Sequence, residues 1–160
     1  MLDKPHRQNY HQTTLPSEHD MKTTSQSLPG ILSVAYLPVD RVQRHCDLKC
    51  LSSIPVQVFT TLTQVPLKGP ATCETVSRYD NNGRVETTTL RFRSLDPIPT
   101  THPLAFIVTD ANRQSYLVGL HEPPYPIVRS TQTTGTPSGD PAVISHEVTF
   151  TALKALIPLG

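Results

Sequence analysis

A chain of 160 residues with 14 Lys and Arg, 13 Asp and Glu, 16 Pro and no Trp has room for one domain with a sizeable core and too little chain for two ordinary ones. A formal net charge of +1 supplies no long-range field for phosphate backbones or acidic membranes, which argues against a dedicated nucleic-acid binder. No run reaches the roughly 18–20 apolar residues of a membrane span, and the polar stretch from Met1 to Asp20 lacks an apolar signal core, so a soluble protein without a secretion signal is expected.

Residues 1–30 carry neither a helical apolar stripe nor a period-two pattern and read as a flexible N-terminal arm, free or ordered against a neighbouring subunit. His6, His11 and His19 are spaced too irregularly for a rigid metal-ligand face. Met21 is a second candidate start. Residues 31–160 read as a single β-rich domain. Ile31, Leu32, Val34, Tyr36 and Val39 suit an outer strand, because Pro38 cannot donate a ladder hydrogen bond. Val42, Cys46 and Cys50, four residues apart and extended by Leu51, predict a short helix within Val39–Ser52 that covers a sheet edge. Ile54–Val65 then predicts a strand, ended by Pro66, Gly69 and Pro70.

The clearest local signal is ATCETVSRY and RVETTTLRFR around DNNG, a β-hairpin whose Asn81, Asn82 and Gly83 tolerate left-handed backbone. In its second arm Val85, Thr87, Thr89, Arg91 and Arg93 fall on one face, and Glu86, Thr88, Leu90 and Phe92 on the other. A proline-rich crossover, LDPIPTTHP, leads to a second hairpin, LAFIVTD and SYLVGL, buried on much of both faces. HEPPYPIVRSTQTT is extended, with Ile127 and Val128 as apolar anchors, and Gly135–Pro141 is a loop. A last strand runs to about Thr151, followed by a turn or helix near Leu153–Ile157. The pattern predicts an all-β fold, an antiparallel β-barrel or β-sandwich of six to eight strands with one short helix.

Candidate chemistry is sparse. Cys46, Cys50 and Cys73 are too few for a disulfide scaffold and leave one thiol over. With His45 they offer soft ligands for zinc, but the CxxxC spacing suits the buried face of a helix, and reduced structural thiols are expected. His102, His121 and His146 stand near Asp96, Glu122 and Glu147, yet acid–base catalysis needs convergence in space, and His146 and Glu147 point to opposite faces of one strand. Arg84, Arg91 and Arg93, with Phe92 and Tyr79 nearby, form a basic cluster that offers a contact to nucleic acid or phosphate, but Phe92 and Arg93 project oppositely and Glu74 and Glu86 offset the charge, so it reads rather as a solvated sheet face. Tyr125, framed by Pro123, Pro124 and Pro126, either pins its loop or offers a pre-ordered contact to a partner. No catalytic, cofactor-binding or metal residue is assigned, and a non-enzymatic protein is expected.

FIVTDANRQSYLVGL, PPYPIV, the GTPSGDP loop and SHEVTFTALKALIP, within residues 104–158, resemble small proteins encoded among the virion genes of Bacteroidales phages and prophages. The resemblance implies a tail, connector or head-completion component, associating with itself and with other virion proteins, in the virion or in the host cytoplasm during assembly. It carries no functional role onto Tyr116, Gly119, Tyr125, Pro126, Gly135 or Asp140, which lie within those motifs. The alternative function is a monomeric β-sandwich binding module for a protein or small ligand.

Overall fold

The computed structural model describes residues 23–139 and 141–160. His6, His11, His19, Met21 and Asp140, singled out above, lie outside those residues.

The two local hairpins form as the sequence predicts. β4 (Thr72–Asp80) and β5 (Gly83–Ser94) pair antiparallel from Thr72↔Arg91 to Asp80↔Gly83. Their Thr and Val side chains favour extended backbone, and Gly83, at φ 115°, takes the left-handed conformation beside the turn. β6 (Leu104–Asp110) and β7 (Ser115–Val118) pair from Phe106↔Val118 to Thr109↔Ser115. Asp110 Oδ1 closes their turn by accepting from the backbone N–H groups of Asn112 at 2.9 Å and Gln114 at 3.0 Å, which holds Arg113 at φ 62°.

Six further strands complete two five-stranded sheets: β1 (Thr24–Ser27), β2 (Ile31–Pro38), β3 (Thr63–Val65), β8 (Ile127–Thr133), β9 (Val143–Ala152) and β10 (Ile157–Pro158). The first sheet runs β1-β4-β5-β9-β8 and the second β10-β7-β6-β2-β3. Every strand pair is antiparallel. The result is a two-sheet sandwich. Between the sheets, Leu90, Phe92, Val148 and Phe150 meet Val34, Phe106, Val108 and Val118, and the Phe92 and Phe106 rings lie tilted at 6.4 Å.

Several expectations are corrected. The strands number ten rather than six to eight, because three of the additional ones are only two to four residues long. Thr24–Ser27, read as arm, forms β1 on β4, and the neighbouring Leu28 is buried at 7% exposure. The predicted strand Ile54–Val65 is confined to Thr63–Val65; Val56 makes a single bridge to Leu159, and Phe59 stays 82% exposed. The predicted helix is split, with a 3-10 turn at Val39–Arg41 and α1 at Cys46–Leu51, because His45 at φ 60° lies in the left-handed region and breaks the helical run. Leu153–Leu156 is a bend, and Ile157–Pro158 returns as β10 against β7. Ile127, read as an anchor, is 61% exposed.

Much of the outer face of the second sheet is itself buried. Ala35, Leu37, Ala105, Ile107, Leu117 and Ile157 all lie there, each at 7% exposure or less. The β2–β3 connection supplies much of the cover, with its own Val39, Val42, Cys46 and Val56 buried. It is fixed by the Val39 N–H to the Pro103 carbonyl, by His121 Nδ1–H donating to the Val42 carbonyl at 3.0 Å, and by α1 packing on β10. Gly119, at φ 119°, completes that side: a Cβ there would lie 2.9 Å from Pro126 Cγ and 3.0 Å from Ala105 Cα.

Candidate functional site

Among the described residues, nothing covers the outer face of the first sheet in the same way. Period-two alternation turns Val85, Thr87, Thr89, Arg91 and Arg93 of β5 outward. Register aligns them with Thr72 and Glu74 on β4, Ser145, Glu147, Thr149 and Thr151 on β9, and Ile127, Arg129, Thr131 and Thr133 on β8. One row across the sheet reads Thr72, Arg91, Glu147, Arg129, and the next reads Arg93, Ser145, Thr131. Arg91 Nε donates to Glu147 Oε2 at 2.8 Å, with the two side chains 57% and 37% exposed. Such an exposed pair contributes only about 0.2–1 kcal/mol, so this contact does little to hold the fold together. A cleft of about 430 Å³ opens along these rows, lined by Thr72, Arg91, Arg93, Arg129, Ser145 and Glu147 among others.

The first sheet ends on β8, and this edge differs from the other three. β1, β3 and β10 are four, three and two residues long, the short edges by which natural sheets avoid stray pairing. β8 has seven residues, IVRSTQT, without a proline, and all but Val128 are exposed. On one side it pairs with β9 from Ile127↔Thr149 to Thr133↔Val143; among the described residues nothing pairs with its other side.

β8 is tied down through its inward face. His146 on β9 is 2% exposed, stacks on Phe92 with ring centroids 5.0 Å apart, and has both ring nitrogens occupied. Ser94 Oγ donates its single proton to the Asp96 carbonyl at 2.7 Å, so at 2.9 Å from His146 Nε2 it accepts. The imidazole proton therefore sits on Nε2, and Nδ1 accepts from Ser130 Oγ at 2.8 Å. Burial holds His146 below the ordinary imidazole range, partly offset by the Asp96 carbonyl. A serine hydroxyl on a neutral imidazole is the opening geometry of nucleophilic catalysis, which also needs donors converging on a developing oxyanion. Around this imidazole lie the Phe92 ring, the Ser94 and Ser130 hydroxyls and the Asp96 carbonyl. The chain Ser130–His146–Ser94 thus acts as a tether joining β8, β9 and β5.

The opposite end of the interior is also polar. Glu86, 2% exposed, receives Arg84 Nη2 at 2.7 Å and Lys154 Nζ at 3.8 Å on Oε1, and the Ala155 N–H at 3.0 Å on Oε2. It thereby fixes the bend that sends the chain from β9 into β10. Arg84, also 5.9 Å from the Tyr79 ring centroid, is committed here and is separate from Arg91 and Arg93.

The remaining predicted candidates do not converge. His102 is exposed, His121 holds the β2–β3 connection, and His146 and Glu147 face opposite sides of β9 as their alternation predicts. All three cysteines are free thiols. Cys73 faces the core from β4, where burial pushes its thiol up to about 12, while the buried Cys46 thiol on α1, also pushed up by burial, donates to the Gln43 carbonyl at 2.9 Å. No group of three metal-ligating side chains forms among the described residues. Tyr125, 36% exposed, lines a cleft of about 270 Å³ together with Pro99, Thr100, Thr101, His102, Pro103 and Leu104. Arg129 was missed by the sequence reading; its signal was the alternation of β8, but its neighbours are set by the non-local β8–β9 register. Comparison with protein-family models, with curated proteins and with solved structures finds no match.

Proposed function

We propose that this protein is a non-enzymatic assembly module that works by protein–protein contact, with the first sheet's outer face and its free edge β8 as the working surface. The observation that carries the reading is the contrast in edges: three are two to four residues long, and one is seven residues long, all but Val128 exposed, with a row of backbone donors and acceptors that nothing among the described residues pairs with. Such a row pairs readily with an extended segment, the backbone bonds giving affinity and alternate side chains giving selectivity. The resemblance of residues 104–158 to phage virion proteins supports a place in a tail, connector or head-completion assembly, with neighbouring virion proteins as partners.

The test is the solution mass across a concentration series, by light scattering after size exclusion, for the natural chain and for Ile127→Lys/Thr133→Lys. Association through β8 is lost in the variant, and a monomer leaves β8 open to a different protein. An oligomer indifferent to both lysines contradicts the reading.

A further inference from the structure

We infer that the segment docking on β8 is extended and acidic, presenting a carboxylate opposite Arg129 and, two residues away, an apolar side chain opposite Ile127. The inference rests on reading β8 as a docking edge and names the chemistry of what docks there.

A strand added to β8 continues the rows of the first sheet. Ile127, Arg129, Thr131 and Thr133 face outward, so the newcomer's alternate residues fall beside them. The residue next to Arg129 extends the row Thr72, Arg91, Glu147, Arg129. In that row Glu147 is already taken by Arg91 at 2.8 Å, and among the described residues Arg129 and Arg93 make no ion pair. Three guanidinium groups therefore share the rim of the 430 Å³ cleft with one carboxylate. The surplus is positive although the whole chain carries only +1, so the selectivity is local.

A guanidinium presents a planar fork of donors that a carboxylate meets with two parallel bonds. Oppositely charged neighbours across strands stabilise pairing, and like charges oppose it. A second copy of this chain paired through its own β8 would bring a further three arginines to the same patch, which favours an acidic partner over self-pairing. Ile127, 61% exposed on the same face, adds an apolar contact that fixes the register.

The experiment selects a displayed library of random nine-residue peptides on the full-length chain. It then measures the affinity of the enriched peptides by fluorescence anisotropy and their effect on β8 amide exchange. The expected peptides carry Asp or Glu two positions from Val, Ile, Leu or Phe and slow exchange within Ile127–Thr133. Arg129→Gln weakens them by about twofold to fivefold and Arg129→Glu by about tenfold, the effect of a lost attraction and then of an added repulsion. Selection on Arg129→Glu enriches Lys or Arg at the same position. Thermal midpoints matching the natural chain show that both variants fold. Peptides that protect β8 without an acidic excess, or that bind Arg129→Glu equally well, overturn the inference while leaving the docking edge intact. Exchange at β8 that slows with protein concentration alone overturns it in favour of a second copy. A library from which no peptide protects β8 overturns both readings.

Discussion

The two sheets are built on the same alternation but put their outward residues to different uses. On the second sheet the outward positions Ala35, Leu37, Ala105, Ile107, Leu117 and Ile157 are apolar and covered. On the first sheet they are mostly Thr, Ser, Arg and Glu, with Val85 and Ile127 among them, and none of those on β5, β8 and β9 is buried. One sheet therefore contributes to the apolar packing from both faces, and the other has a face and a long edge that nothing among the described residues covers. A surface left uncovered is the place where a contact protein can place its specificity.

Four predictions sharpen or break this contrast. The largest effect is expected at Leu117→Ala, where a fully buried outward side chain of the second sheet is removed; the loss should be about 2–5 kcal/mol by denaturant unfolding. A loss below about 0.5 kcal/mol, the size seen for ordinary surface changes, would show that the cover over this sheet is loose. Gly119→Ala comes next: its φ of 119° and its closeness to Pro126 and Ala105 predict a destabilisation of more than about 1 kcal/mol. Stability unchanged in that variant would place no close packing at this corner.

The third prediction concerns acid. His146 is held neutral in the fold, so below the ordinary imidazole value of about 6.5 the unfolded chain takes up a proton that the native chain resists. Its contribution to stability is therefore complete above that pH and falls away as the pH drops toward the lowered native value. Protonation also removes the Nδ1 acceptor that holds Ser130, so β8 should loosen first. Thermal midpoints between pH 5 and 8 should decline on the acid side, and His146→Gln should flatten that part of the profile; an identical slope in the variant would remove His146 as the cause. The smallest effect is expected at Thr149→Ala, an outward residue of the first sheet, within about 0.5 kcal/mol of the natural chain. A cost comparable to that of Leu117→Ala would erase the distinction between the sheets.

What could be read from the sequence followed the range of the interaction. The two hairpins were legible because DNNG and DANRQ place turn chemistry next to β-branched runs, and every contact needed lies within about 25 residues. The faces of β5 and β9 were legible for the same reason, down to the opposition of His146 and Glu147. β1 was not, because TSQS has no apolar residue and is a strand only through its pairing with β4, nearly 50 residues on. The short return of β10 to β7 depends on Glu86 holding the Ala155 N–H from a distant strand. The basic patch was half legible. Arg91 and Arg93 stood out by alternation, but Arg84 was wrongly grouped with them, and Arg129 joined them only through the pairing of β8 with β9.

The central claim, that β8 is a free edge on the uncovered sheet, is tested most directly by residue-resolved amide exchange of the full-length chain at low concentration near neutral pH. The account predicts an alternation along Ile127–Thr133, slow where an amide faces β9 and fast where it faces the open side, while β6 exchanges slowly throughout. Uniform protection along β8 would mean that the edge is already covered, and the assembly surface would have to be sought elsewhere on the molecule.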